Sequence, residues 1–254
     1  MNGSSSAMGI GTPASPVALS ITIPAYREAE NLAMMLPSIK EAAAVLSANY
    51  EVLIVDTQEA MDNTAEVCAA NGVRHVHRLG GNSYGDAIRT IIAEAKGEYI
   101  LCMDADGSHS PIYFASMWAQ RERYDIVIGS RYAPGGHTEN PAILIIMSYV
   151  LNLTFRIAFS IRAKDVTNSF RLYRRGILTS LRLESNDFDI LEELLIKVTL
   201  RRPPAEIGEV PVTFGRRKAG ESKRKLVQFA FAYFKTLKRL RSFAAAARLE
   251  NIAQ

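Results

Sequence analysis

Tyr99-Ile100-Leu101-Cys102-Met103-Asp104-Ala105-Asp106 is a short apolar run that ends in two carboxylates one residue apart. A buried strand of a parallel sheet reads as a continuous apolar run, and open α/β sheets bind ligands just beyond the carboxyl ends of their strands. Asp104 and Asp106 are therefore expected at the edge of a cleft. Two carboxylates held that close repel each other unless a cation sits between them. Mg²⁺, which usually takes only one or two protein carboxylates and leaves room for phosphate oxygens, suits that position.

Working outward, apolar strand candidates alternate with helical segments. Strands are expected at Leu19–Pro24, Glu51–Asp56, Val73–His77, Tyr99–Met103 and Asp125–Gly129, and helices at Glu28–Ser47, Asp62–Asn71, Ser83–Lys96 and Pro111–Arg123. This alternation predicts an α/β fold, a Rossmann-like, mostly parallel sheet with helices on both faces. After Pro141 the pattern changes to helices at about 142–161, 174–182 and 186–200, a strand at Ile207–Phe214 and a last helix from Arg224. The organisation expected is a flexible Gly/Ser/Pro-rich tail over 1–17, one catalytic domain over 18–223, and a basic amphipathic helix and tail over 224–254.

The chain has 254 residues, 48% of them hydrophobic, enough for one large domain with an appendage. Its net charge of +4 is unevenly spread, for Lys223 to Arg248 holds no acidic residue. Cys68 and Cys102 have no metal-ligand spacing and read as reduced thiols of a cytosolic protein. The N-terminal tail lacks the basic start and apolar core of a secretory signal. The apolar stretch Ala142–Ile161 runs unbroken for about 14 residues to Arg156. That is roughly 21 Å as helix, short of a ~30 Å hydrocarbon core. Ser148, Asn152, Arg156 and Ser160 form a narrow polar stripe on it, the pattern of a helix half-buried at a bilayer surface with its stripe toward the protein. A core helix is the alternative. The basic, Phe-bearing C-terminal segment suits anionic lipid, and no nucleic-acid-binding fold accompanies it.

Several other residues fall at the same sheet edge. The first strand opens into Pro24-Ala25-Tyr26-Arg27-Glu28, and a strand leading to a helix N-terminus is a ready phosphate or nucleoside site, though an ordinary turn has the same form. Asp56 ends the second strand, where it either accepts hydrogen bonds from a base or ribose or caps a turn. His75 and His77 share one strand face without a third ligand in view. His109 either supports the metal site or caps the next helix.

In order, Ile23–Leu32, Val55-Asp56, Gly81–Gly85, Met103–Asp106 with His109, and Gly129–Tyr132 resemble the GT-A glycosyltransferases of family 2. Asp165–Arg171, and Glu209-Val210-Pro211 leading to Arg216–Lys223, resemble the polyprenyl-phosphate (dolichyl-phosphate mannose synthase-like) branch. The resemblance covers about Ile21 to Arg241. It implies an inverting, metal-dependent hexosyltransferase that moves a sugar from GDP-mannose or a UDP-hexose to a polyprenyl phosphate. Asp104 and Asp106 would hold Mg²⁺ or Mn²⁺, with Ser108 as a weaker third ligand. Pro24, Tyr26, Glu28 and Asp56 would hold the nucleoside. Arg131, Arg171, Arg217 and Lys223 would be the cations that bring one anion to another and steady the departing diphosphate. The plainer alternatives are ion pairing of Arg131 with Asp125 or Glu139, a solvated face for Arg171, and an exposed basic loop for Arg216–Lys225. The chain departs from the family at Thr57, where a second aspartate is usual, and at Asn168-Ser169, where Ser-Gly or Gly-Gly is usual. A peripheral enzyme on the cytosolic membrane face is expected, with a separate membrane subunit as a possible partner because the chain reads as having no anchor of its own. The other enzyme reading takes a hydroxyl acceptor on a glycan or natural product. A hydroxyl needs a base, for which the acidic cluster Asp187, Asp189, Glu192 and Glu193 is available unless it is a solvated helix N-terminus.

Overall fold

A computed structural model describes residues 16–47, 49–201, 204–215, 233 and 235–245. Its centre is a seven-stranded sheet in the order β3-β2-β1-β4-β7-β5-β8, with β1 at Leu19–Pro24, β2 at Tyr50–Asp56, β3 at Arg74–His77, β4 at Tyr99–Cys102, β5 at Ile126–Ser130, β7 at Arg171–Arg174 and β8 at Ile207–Pro211. All pairings are parallel except those of β7, which runs antiparallel between β4 and β5. A two-stranded ribbon joins β6 (His137–Thr138) to β9 (Thr213–Phe214).

Both sheet faces are covered, which is why the strands read as unbroken apolar runs. Alternate residues serve the two layers. Leu53, Val55, Ile100 and Cys102 pack on one side with helices α3 (Tyr84–Glu94) and α6 (Ile190–Thr199). Val52, Ile54, Tyr99 and Leu101 pack on the other with α1 (Ala29–Leu46), α2 (Thr64–Asn71) and the short α4 (Phe114–Trp118). Local chemistry sets the boundaries. Ser83 and Asp86 form a reciprocal capping box at the start of α3. Gly72, at φ +61°, closes α2 in the left-handed conformation that a residue without Cβ adopts cheaply. The Asp62 carboxylate accepts the Ala29 N–H at the start of α1 (3.0 Å), tying that turn to the next loop.

The expected parallel core is present, and three segments differ. In place of a helix at 174–182 there is the strand β7, followed by a single 3₁₀ turn at Arg175–Ile177. The helix expected over Pro111–Arg123 is a 3₁₀ turn at Pro111–Tyr113 and the five-residue α4. The strand expected over Ile207–Phe214 divides at Val212, whose N–H turns to Ser130 O (3.0 Å), so that β8 pairs with β5 and β9 with β6. Helix α5 spans Ala142–Phe159, and α7 is helical over 235–245. Among the described residues α5 is the one helix long and apolar enough to cross a membrane. Only Asn152, Phe155 and Phe159 of it are buried, so it is not a core helix.

Candidate active site

A cavity of about 350 Å³ opens at the carboxyl ends of the parallel strands. Its wall carries polar groups, with Pro24, Tyr26 and Glu28 at the end of β1, Arg78 after β3, Asp104, Asp106 and Ser108 after β4, and Arg131 after β5. It also carries apolar side chains, Leu144, Met147 and Leu151 of α5 with Phe188, Leu191, Phe214 and Tyr233.

The two carboxylates are held by different partners. Asp106 Oδ1 accepts from the backbone N–H of Ser108 (3.0 Å) and from its hydroxyl (2.5 Å). Asp104 Oδ2 accepts from Ser169 Oγ (2.9 Å), and the Asp104 backbone N–H donates to His109 Nδ1 (3.0 Å). Nδ1 is therefore an acceptor, which leaves the proton on Nε2, 3.2 Å from Asn168 Oδ1. The Asn168 amide in turn donates to Gly129 O. Burial lowers the His109 pKa, outweighing the nearby Asp104 and Asp106 charges, so the imidazole is neutral at pH 7. His109 thus orients the metal-edge backbone and is not itself a ligand. No group of three or more His, Cys, Asp or Glu that could hold a metal occurs among the described residues. The two carboxylates, with a serine hydroxyl beside them, form a hard oxygen set that fits Mg²⁺ or Mn²⁺ when phosphate oxygens complete the shell.

Arg131 lies at the cavity wall with a partner the sequence reading had not paired to it. Asp165, fully buried, accepts from Arg131 Nε (2.8 Å), Nη2 (2.7 Å) and the backbone N–H (2.8 Å). Thr167 Oγ1 takes a further bond from Nη2 (2.8 Å), and the guanidinium lies over the Tyr132 and Phe214 rings. The alternative partner Asp125 pairs instead with Arg174 (3.5 Å).

Arg171 corrects the expectation of a phosphate-binding cation. It is 0% exposed and absent from the cavity wall. Its Nε donates to Asn168 O (2.7 Å), Nη2 to Val166 O (2.6 Å), and Nη1 to Leu191 O (2.9 Å) and Tyr173 Oη (3.3 Å). A guanidinium whose donors all point at internal carbonyls and a phenol is a brace for the 165–169 loop. Asp56 is also off the cavity wall. Its Oδ1 accepts from Thr57 N (2.7 Å), and Oδ2 lies 3.3 Å from His75 Nε2, while His77 Nδ1 faces Thr57 O (2.7 Å). The two histidines therefore serve the Asp56-Thr57 turn. Arg217 and Lys223, and the start of the final helix at Arg224, lie outside the described residues.

The acidic cluster is not a solvated helix N-terminus. Glu192 and Glu193 are fully buried, and Asp189 accepts from Thr236 on the C-terminal segment. Glu193 receives Lys197 Nζ (2.7 Å), Ser185 N (2.7 Å) and the Arg239 guanidinium (3.2 Å). Burial raises its pKa, but these bonds overcome it and hold the carboxyl down at about 2. Glu192 accepts from Tyr233 Oη (3.2 Å), and among the described residues one of its buried oxygens has no partner, so burial dominates the Arg171 attraction and pushes it up to about 8. None of the four lines the cavity.

Arg78 is the cavity residue that sequence reading passed over. It is buried, donates to Ala25 O and to Asn82 O (2.6 Å), and has an unpartnered Nε. Its sequence signal was a lone basic residue immediately after a strand that ends at the same sheet edge. Tyr84 and Phe188, stacked at 4.3 Å, add an aromatic wall that pairs a helix start with a loop one hundred residues away and left no local signal.

The parallel sheet, the carboxylate pair beyond β4 and the arginine beyond β5 are those of a GT-A glycosyltransferase, and the structure is similar in fold to glucosyl-3-phosphoglycerate synthase from Mycobacterium tuberculosis. The TM-score is 0.68 at 18% identity, over 90% of this chain and 80% of that one, solved with Mn²⁺ and UDP. Residues 20–182 match the family described as Glycosyl transferase family 2, and the chain belongs to that family. Among curated relatives, it is 33% identical to a dolichol-phosphate mannosyltransferase of Pyrococcus furiosus over 87% of its own length and 63% of the relative's. A dolichol-phosphate mannosyltransferase of Saccharomyces cerevisiae is 29% identical over 80% of each chain. An undecaprenyl-phosphate mannosyltransferase of Micrococcus luteus is 31% identical over 79% of this chain and 85% of that one.

Proposed function

We propose that this protein transfers a sugar from a nucleotide donor to a polyprenyl phosphate, inverting the anomeric centre, at the cytosolic face of a membrane. The observation that carries this reading is the mixed lining of the cavity. Asp104, Asp106 and Arg131 share its wall with the apolar side chains of α5. The outer face of the same helix leaves Ile143, Ile146, Val150, Leu153 and Ile157 exposed at helical spacing. A lipid phosphate needs such a route, with its head among cations and its chain toward an apolar surface. The names of the curated relatives agree with it.

In this reading Pro24, Tyr26, Glu28 and Arg78 hold the nucleoside end, with Asp56 supporting the neighbouring strand end. Asp104 and Asp106 hold Mg²⁺ or Mn²⁺, which when bound neutralises the diphosphate and acts as a Lewis acid at its oxygens. Arg131, fixed by Asp165, presents a delocalised charge to phosphate oxygens. An acceptor phosphate oxygen forms the new bond to the anomeric carbon from the face opposite the diphosphate. The old carbon–oxygen bond breaks, and its electron pair leaves with the nucleoside diphosphate. A phosphate is already anionic at pH 7, so no general base is required, in keeping with an acidic cluster that is engaged elsewhere or exposed. The exposed stripe of α5 docks on the bilayer surface. A separate membrane subunit would complete the anchorage.

The test is transfer of label from a panel of GDP- and UDP-sugars with Mg²⁺ or Mn²⁺ and membranes, for wild type and Asp106→Ala. An organic-extractable, mild-acid-labile product that disappears in the variant is the expected result. Label found only in water-soluble product would move the acceptor to a hydroxyl and overturn the lipid-phosphate reading.

A further inference from the structure

The loop 165–169, between α5 and β7, touches the polar site at Arg131, at Asp104 and at His109. Asp165 fixes Arg131, Thr167 bonds the same guanidinium, Asn168 orients His109 behind Asp104, and Ser169 bonds the Asp104 carboxylate. From beneath, Arg171 holds the loop by the carbonyls of Val166 and Asn168. From α5 it is held by Ser148, whose hydroxyl lies 3.3 Å from Thr167 Oγ1, and chiefly by Asn152. Asn152, 2% exposed, accepts the backbone N–H of Val166 (2.6 Å) and of Thr167 (3.0 Å) on its Oδ1. Its Nδ2 reaches Thr167 Oγ1 (3.3 Å) and Ser148 Oγ (3.5 Å).

We infer that Asn152 is a positioning residue that couples the seating of α5 on a membrane to the geometry of Arg131 and Asp104. The inference rests on the membrane reading proposed above. The physical reason is the imbalance of α5. Asn152, Phe155 and Phe159 are its buried residues, while the outward stripe up to Ile157 is 40–73% exposed. A helix so lightly held is steadied when its other face is covered. Its polar tie to the fold is the same bond pair that fixes two consecutive amides of the site loop. A carboxamide oxygen accepting two adjacent N–H groups sets both the position and the tilt of that backbone. Steadying the helix therefore steadies the loop, and with it the arginine and the carboxylate at its two ends. Coupling of this kind requires an element that both sites bias, a role that falls to the 165–169 loop, which bonds α5 on one side and Arg131 and Asp104 on the other.

The experiment uses the full chain with phosphatidylcholine–phosphatidylglycerol vesicles that contain no polyprenyl phosphate. Vesicle flotation reports docking, Mn²⁺ affinity in the presence of GDP or UDP reports the site, and amide hydrogen exchange reports the loop. For wild type, docking is expected to slow exchange at Val166 and Thr167 and to tighten Mn²⁺ binding by at least about fivefold, the lower end of ordinary coupling. Asn152→Leu should float as wild type does but lose the vesicle effect on Mn²⁺. Asn152→Asp should retain it, since its carboxylate still accepts both amides and the hydroxyls of Ser148 and Thr167 can donate to the second oxygen. If wild type floats without changing exchange or Mn²⁺ affinity, or if Asn152→Leu keeps the full response, the coupling is wrong and the membrane reading stands. If wild type does not float, the membrane reading fails and the coupling falls with it. Should Asn152→Leu not fold, the wild-type exchange result decides alone.

Discussion

Replacing Asp165 by asparagine separates the positioning of Arg131 from its mere presence. Arg131 makes three bonds to this carboxylate, from N, Nε and Nη2, at 2.7–2.8 Å, and its side chain is 9% exposed beside a partner that is 0% exposed. An asparagine keeps one oxygen, which can serve the N and Nε donors, but it then turns an amide N–H₂ toward Nη2. One charge-assisted bond is lost and a donor faces a donor. A hydrogen bond to a charged group contributes roughly 1.5–3 kcal/mol, and removing one partner of a buried ion pair costs roughly 3–5 kcal/mol. The retained oxygen places the variant near the lower end, about 3 kcal/mol, which a typical domain stability of ~5–15 kcal/mol survives. Loss of one pre-aimed donor at developing charge typically costs about 10²–10³ in kcat, and that is the expected loss of transfer. Urea unfolding gives the first quantity, and initial rates of lipid-linked sugar formation at saturating donor give the second. In the cycle with Arg131→Ala, the two changes should be strongly non-additive in kcat. A folded Asp165→Asn protein with transfer within about fivefold of wild type would refute the reasoning, because an arginine aimed at the diphosphate cannot lose its fixed plane at so small a loss.

The remaining predictions concern stability and docking. Glu192, pushed up to about 8 by burial, binds a proton in the fold that the unfolded chain has released above the ordinary carboxyl range. Its contribution to stability therefore falls as pH rises from about 4.5 to about 8 and is flat beyond. Glu192→Gln, which still accepts from Tyr233, should flatten that part of the urea-midpoint profile and equal or exceed wild type at pH 8. Glu193 has the opposite sign, with stability present above the ordinary carboxyl range and lost as pH falls toward about 2. Glu193→Gln should destabilise the fold at pH 7 and increase hydrogen exchange over 235–245, where Arg239 keeps Glu184 but loses its buried carboxylate partner. A Cβ at Gly85 would meet Ser185 O at 2.2 Å, so Gly85→Ala should cost at least the ~1–3 kcal/mol of overpacking and lower the thermal midpoint. Placing Glu at both Ile146 and Ile157 removes two exposed side chains worth roughly 1.5–3 kcal/mol each when fully buried, and vesicle flotation should fall by at least about a hundredfold.

The parallel strands of the first 130 residues were legible because the central ones, β1, β2, β4 and β5, are largely buried and each is bounded by its own punctuation. Leu19–Pro24 was read to the residue, and Gly72 and Ser83 marked helix ends by local chemistry alone. Legibility failed at β7 for a physical reason. Arg171-Leu172-Tyr173-Arg174 has a charge at each end and only two apolar residues, so nothing local marks it as a central strand. Its buried guanidinium is tolerable only because carbonyls of Val166, Asn168 and Leu191, distant in sequence or turned inward by the loop, accept its donors. A charge satisfied by backbone carbonyls leaves no mark in a sequence, whereas an unsatisfied one would have been excluded by its desolvation cost.

The same reason explains which site residues were found. Asp104, Asp106, Ser108 and Arg131 stand at strand ends, where sheet geometry dictates that side chains meet a cleft. The supports of Arg131 and Asp104 come from the inserted segment Asp165–Arg174, so the error over β7 and the missed pairing of Arg131 with Asp165 have one origin. An antiparallel strand between β4 and β5 must be entered by a loop crossing the very edge where those strands present Asp104 and Arg131. That crossing brings Asp165 and Thr167 within hydrogen-bond reach of Arg131, and Ser169 within reach of Asp104. The Arg171 correction follows from it as well, because the residue that fixes this loop from below cannot also face the cavity above. The inserted strand thus turns an open parallel sheet into a cleft edge at which Arg131 and Asp104 share one supporting loop.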